Sequence, residues 1–352
     1  MREKALALLR EGTVIPAIPL ALTAQRTFDE RRQRALVRYY LDAGAGGVAV
    51  AVHTTQFEIR LPEYNMFEIV TKITAEEIDA YEARTGRVVI KVGGVCGPAA
   101  QACKEAAYLR SIGFDAVLLS PGGLAALSED EMIARTETVA AIMPVIGFYL
   151  QPAVGGRLFS VEYWKRVADV ENVVAIKAAP FNRYRTGELV RGVCMSDRRD
   201  SVSLYTGNDD NIIVDLLTEF AYDIDGEWRT KRFVGGLLGH WSVWTHATCK
   251  MFETIKAQRT ASTIPAEVLT FAAQTTDANA VVFDAINGFA GCIPGVHEVL
   301  RRQGLLAGTW CLNPDEGLSP GQAEELDRVY KAYPALTDDA FVRENLSRWM
   351  TE

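Results

Sequence analysis

The chain has 352 residues, 49% hydrophobic and 23% charged, with a formal net charge of -8 and a pI near 5.3. That is globular composition with ample apolar material for a large core. It excludes a nucleic-acid partner, because no basic run or aromatic-interleaved basic stripe occurs. It also excludes a membrane helix, since no apolar run approaches roughly 18–20 residues.

The N-terminal MREKALALLREGTV has neither a long apolar stretch nor a small-residue cleavage site, so no signal peptide is expected. The six cysteines (Cys96, Cys103, Cys194, Cys249, Cys292 and Cys311) form no CxxC pair, which argues against zinc and against a disulfide framework. His240 and His246 do not make an HExxH pattern. The expectation is a cytoplasmic protein with no metal and no cofactor.

In chain order, short apolar runs alternate with amphipathic segments. Residues 13–20, 46–52, 87–94, 114–120, 143–150, 172–178, 201–207 and 235–242 read as eight strands. Each is nearly continuous in Val, Ile, Leu and Ala, as a parallel strand covered on both faces requires. Helices start after Asp29, after Ser128 with Glu131 at capping-box spacing, and after Ser160. Residues 221–233 are a polar interruption before the eighth strand, read as a surface or interface feature on the face away from an active site. Beyond it the chain is helical over about 244–304 and 320–349. The pattern predicts a TIM-type (β/α)8 barrel over 1–243. Residues 244–352 then supply the last barrel helix and a C-terminal helical extension of the same unit. A doubly wound sheet is disfavoured because no GxGxxG turn follows the first strand.

Barrel chemistry sits at the C-terminal strand ends. Two residues there are out of keeping with their runs: Lys177 ends VVAI and Tyr149 ends PVIGF. A lysine in apolar surroundings pairs with an acid or becomes neutral. A neutral amine attacks a ketone to give an imine, and a nearby phenol can carry the protons. The residues alone leave a second reading open, a lysine snorkelling to solvent at the rim.

Five ordered segments resemble the dihydrodipicolinate synthase / N-acetylneuraminate lyase superfamily, from about residue 13 to about 310. NVVAIKAAP resembles its IxGIKE strand and GFYLQP its YNxP segment. VHTTQFE resembles GTTGE, YTGNDDN resembles SGDD, and GLLGHWS resembles GxxGxIS. The separation of Lys177 and Tyr149, 177 minus 149, is the 28 residues usual in that family. The resemblance implies Lys177 as the imine former and Tyr149 as the proton relay. It implies Thr54 and Thr55 as holders of the keto acid's carboxylate, and Gly239 and Trp241 as lining of the imine carbon. His53, in place of a glycine, narrows the site, contacts substrate or serves as a wall residue. Asn208 and Asp209 contact a polar substrate tail or cap the next helix.

Two departures redirect the function. Val154 stands where dihydrodipicolinate synthases carry a carboxylate-binding arginine, with Arg157 three residues on. Gly122 and Gly123 replace a PYY relay tyrosine, with Ser120 as a possible substitute hydroxyl. The expected function is a Schiff-base lyase or aldolase acting on a small 2-keto acid, with pyruvate used or released. Alternatives are a dehydratase or deaminase of a 2-keto-3-deoxy sugar acid by the same imine, and a non-catalytic ligand-binding relative. The resemblance also implies a homodimer or homotetramer.

Overall fold

The computed structural model describes residues 1–351. It opens with α1 (Glu3–Glu11), β1 (Val14–Pro16), α2 (Glu30–Ala43) and β2 (Gly47–Val50), then α3 (Phe67–Thr85), β3 (Ile90–Val95), α4 (Ala99–Ser111) and β4 (Ala116–Leu119). The chain continues through α5 (Glu129–Ala140), β5 (Val145–Leu150), α6 (Val161–Asp169), β6 (Val173–Ala179), α7 (Arg183–Met195) and β7 (Ser203–Thr206). After α8 (Ile212–Leu217) come β8 (Glu219–Ile224) and β9 (Glu227–Leu238). The helices α9 (Thr245–Gln258), α10 (Ala266–Val282), α11 (Cys292–Arg302), α12 (Gln322–Ala332) and α13 (Asp339–Thr351) follow.

Strand neighbours run β1-β9-β7-β6-β5-β4-β3-β2, with β8 off that path. Eight parallel strands thus form a nearly closed (β/α)8 barrel, followed by C-terminal helices. The apolar runs read from sequence become strands because both faces are covered: β3, β4, β5 and β7 are buried along their whole length. Helix starts follow side-chain chemistry. Asp29 accepts from the Arg32 N–H, Ser128 and Glu131 form a reciprocal capping box, and Ser160 accepts from the Tyr163 N–H.

Residues 221–233 are more than a polar interruption. They belong to an antiparallel hairpin in which β8 pairs with the first half of β9. Asp225 and Gly226 turn it with φ of 55° and 83°, and an Asp-Gly turn with positive φ at both positions matches strand twist. The hairpin lies along α7, with the Tyr222 hydroxyl donating to Gly187 O at 3.0 Å and Arg229 donating to Cys194 O at 3.2 Å.

Two compact units interleave in sequence. The first comprises Met1–Thr13, Ile90–Leu237 and Ile255–Ser262; the second comprises Val14–Val89, Leu238–Thr254 and the chain from Thr263 onward. In the first, α1 reaches a core strand, since the buried Tyr205 hydroxyl donates to Leu9 O at 2.8 Å. In the second, α13 is built into the core. Trp349 is buried against Tyr39, and its indole N–H donates to Asp42 at 2.7 Å.

Candidate active site

Lys177 lies near the C-terminal end of β6. In the parallel ladder it is level with Phe148 of β5 and Tyr205 of β7. Level residues on neighbouring strands share a face, and Lys177 Nζ lies 4.3 Å from the Phe148 ring centroid. The lysine is 9% exposed. Burial lowers its pKa from 10.5 to about 8, while the negative charge of Asp209 pulls the other way. A lysine in this state keeps roughly a tenth of its molecules as free amine at pH 7, against a few in ten thousand for an exposed one.

Gly207, at the end of β7, makes the room for that side chain. A Cβ there would sit 2.5 Å from Lys177 Cε and 2.8 Å from Ala179 Cβ. Its N–H donates to Ala178 O at 2.7 Å, holding the turn against β6. The sequence carried the signal, a glycine directly after a strand and before polar residues, which marks close backbone approach.

Tyr149 is level with Ala178, not with Lys177, so its side chain leaves by the other face. It packs against Trp164 of α6 and Phe159, with ring centroids 4.9 and 5.9 Å away. Its neighbour Gly147 faces the same way, towards Val167 of α6. Burial raises the phenol's pKa. The aromatic ring presented to the lysine is that of Phe148, which has no hydroxyl.

Asn208 is fully engaged within the fold. Its amide nitrogen donates to Thr186 at 3.2 Å and to Asp215 at 2.9 Å, and its oxygen accepts from the Phe181 N–H at 3.1 Å. Both amide hydrogens are spent, so it ties the β6–α7 connection to β7 instead of facing a ligand. Asp215 also accepts from Thr206 at 2.7 Å and pairs with Arg183. Asp209 is buried, and its charge bears on Lys177. Arg157 is engaged too, donating to Leu127 O with its guanidinium 5.2 Å from the Phe159 ring centroid. Val154 closes a short turn, Pro152–Val154. A Cβ on Gly123 would meet nothing within 4 Å, and Gly122 donates its N–H to Ser120 Oγ at 3.2 Å.

In the second unit, Thr54 and Thr55 lie in a turn of 3-10 helix, His53–Thr55, just after β2. Thr54 donates to Ala17 O at 2.7 Å and Thr55 donates to Ile18 O at 2.7 Å. Ser242, beyond β9, donates to the same Ala17 carbonyl at 2.5 Å. The end of β1 therefore anchors the threonine turn and the Gly239–Ser242 turn together. Half-buried His53 has its ring 6.1 Å from that of Phe57. Gly239 is the residue before the His240–Ser242 turn. His240 is structural: its Nδ1 lies 2.6 Å from Asn279 Oδ1, and burial drops its pKa to about 4.

Two buried donors in this unit have no partner among the described residues, Gln56 Nε2 and Trp241 Nε1. An orphaned buried N–H is costly, and a ligand oxygen would satisfy it. Gln56, unassigned from sequence, is held at φ 67°, and its Oε1 accepts from the Leu312 N–H at 2.6 Å. Among the described residues no group of three or more His, Cys, Asp or Glu could hold a metal ion. No helix among them is long and apolar enough to cross a membrane.

The fold recurs in solved structures. A prophage protein of the dihydrodipicolinic acid synthase family from E. coli K12, in complex with pyruvate, superposes with a TM-score of 0.73 at 17% identity, covering 91% of this chain and 98% of that one. N-acetylneuraminate lyase from Fusobacterium nucleatum gives 0.70 at 16% identity, over 92% and 99%. In sequence the chain is 27% identical over 199 residues to an uncharacterized DapA-like lyase of Rhizobium meliloti, spanning 55% of this chain and 60% of that relative. The sequence profile of the Dihydrodipicolinate synthetase family matches residues 11–219. On that match, supported by the barrel, the chain belongs to the dihydrodipicolinate synthetase family.

Proposed function

We propose that this protein is a class I lyase that forms a Schiff base between Lys177 and a small 2-keto acid. One observation carries the reading: a buried lysine whose pKa burial brings down to about 8, at the barrel position where the family places its imine. The neutral amine attacks the ketone, and the protonated imine draws electrons from the adjacent carbon–carbon or carbon–hydrogen bond. The resemblance assigns the keto acid's carboxylate to Thr54 and Thr55, although their buried hydroxyls already donate to the Ala17 and Ile18 carbonyls and would give up those bonds to serve it.

Val154 cannot bind a second carboxylate as arginine does, which disfavours condensation with a second acidic substrate. Gly122 and Gly123, standing where the family carries a relay tyrosine, are small residues that favour a longer substrate. That preference keeps dehydration or deamination of a 2-keto-3-deoxy sugar acid as the second reading. A homodimer or homotetramer is part of the same proposal and is read by light scattering.

The test is borohydride trapping against a panel of 2-keto acids, beginning with pyruvate, followed by peptide mass mapping. The expected result is a reduced adduct on Lys177, absent from Lys177→Met. No adduct with any of the panel would defeat the proposal. Product analysis of the reacting substrate then separates cleavage from dehydration.

A further inference from the structure

We propose that Phe148 is a catalytic residue of this site, the ring face that carries the positive charge of the Lys177 iminium. This rests on the Schiff-base reading above. Phe148 and Lys177 are level on the neighbouring strands β5 and β6, so their side chains share one face of the ladder. Lys177 Nζ lies over the ring, 4.3 Å from its centroid. That is well inside the roughly 6 Å within which a cation feels the negative face of an aromatic ring. Both residues are buried, at 7% and 9% exposed, so little water competes for the charge.

The contact is held from two sides. β5 is buried along its whole length and keeps the ring in place. From the β7 side, Gly207 presents bare backbone to the lysine stem, where a Cβ would sit 2.5 Å from Lys177 Cε. The neighbouring phenols have other work. Tyr149 leaves by the opposite face and packs on Trp164. Tyr205, level with Lys177 on β7, donates its hydroxyl to Leu9 O at 2.8 Å.

A ring face discriminates by charge, and the charge at Nζ changes during the reaction. The neutral Lys177 amine attacks the ketone carbon as the carbonyl π pair moves to oxygen. One proton then passes from nitrogen to that oxygen, giving a carbinolamine. The hydroxyl leaves as water with a proton supplied by solvent, while the nitrogen lone pair closes the C=N bond. Amine, ketone and one proton have become iminium and water, and the nitrogen has gone from neutral to cationic against the ring. Phe148 therefore favours this step, because its attraction grows as the charge develops. It also opposes loss of the iminium proton, and the protonated imine is the electron sink that the chemistry needs. The later withdrawal of charge into the enamine gains nothing from the ring, so the iminium itself is the quantity to measure.

The test is trapping of the pyruvate iminium with excess cyanoborohydride, which reduces the protonated imine in preference to the ketone. At pH 9 the Lys177 amine, with a pKa of about 8, is mostly neutral already, so a change in its own protonation does not mask the effect. Replacing Phe148 by phenylalanines that bear one, two and three ring fluorines keeps the shape and drains the ring face of negative charge. Adduct formation on Lys177 is expected to slow with each fluorine, reaching about a tenth of the wild-type rate with three, the size of a desolvated cation–π contact. Phe148→Leu is expected to lose about as much, and the fluorine series carries the test if the leucine variant folds poorly. An unchanged rate along the fluorine series would overturn the assignment and leave the ring as packing, with the imine intact. Absence of any adduct in the wild-type protein would instead remove the Schiff base itself, and the role of Phe148 with it.

Discussion

Lys177 Nζ stands 4.3 Å from the centroid of the Phe148 ring, so the lysine's nearest aromatic partner lacks a proton to give. A ring face attracts the ammonium but cannot match water's solvation of it. The same contact therefore keeps the lysine in place and weakens its charge.

Lys177→Met should fold and be more stable than the parent at pH 7. The folded pKa of about 8 lies below the ordinary 10.5, so the parent's charged lysine costs stability below pH 8. That cost disappears as pH rises from 8 towards 10.5, where the unfolded chain binds more protons than the folded one. The expected gain is on the order of 2–3 kcal/mol at pH 7, read by urea denaturation at several pH values. A gap that stays constant between pH 7 and 10 would contradict the lowered pKa.

Gly207→Ala should leave the barrel folded but push the lysine stem aside. The added Cβ meets Lys177 Cε at 2.5 Å, and that end of the side chain can move. Overpacking of this size costs about 1–3 kcal/mol. Imine trapping is expected to slow at least tenfold while the thermal transition remains cooperative. An unchanged trapping rate would show that Lys177 acts from another rotamer.

Asn208→Ala should act on stability. It strips partners from Thr186, Asp215 and the Phe181 N–H, and losing such a buried network costs about 2–4 kcal/mol. Activity per folded molecule should change little. Intact stability with weakened substrate binding would make Asn208 a ligand contact instead.

The protein should lose stability in acid earlier than carboxylates alone would dictate. Burial holds both His240 and His297 at about 4, below the usual 6.5. Each contributes stability that is complete above pH 6.5 and is lost as pH falls through 4, because the unfolded chain takes up the proton first. Melting temperatures between pH 7 and 4 check this. His240→Asn should flatten part of the slope.

The barrel was legible because strands covered on both faces need unbroken apolar runs, as AVLL and VIGFYL show. The parity of one aromatic pair was not. Phe148 and Tyr149 are adjacent, and a slip of one residue sends a side chain to the other face. The 28-residue spacing picked Tyr149 by position, whereas the ladder pairs Phe148 with Lys177. The hairpin was signalled by Asp225–Gly226 between alternating residues, yet its polarity read as a loop. Gln56 offered no pattern at all, since its place depends on Leu312, distant in sequence.

That last contact bears on how the protein is made. The Thr54–Thr55 turn is followed by Gln56, which is gripped by the Leu312 N–H, while Tyr64 donates to Leu312 O at 3.2 Å and Arg26 to Cys311 O at 2.9 Å. None of these bonds can form until the stretch around Leu312 has left the ribosome. The threonine turn, encoded early, is therefore finished late, and a nascent chain stalled before Leu312 would carry that turn without the contacts that complete it.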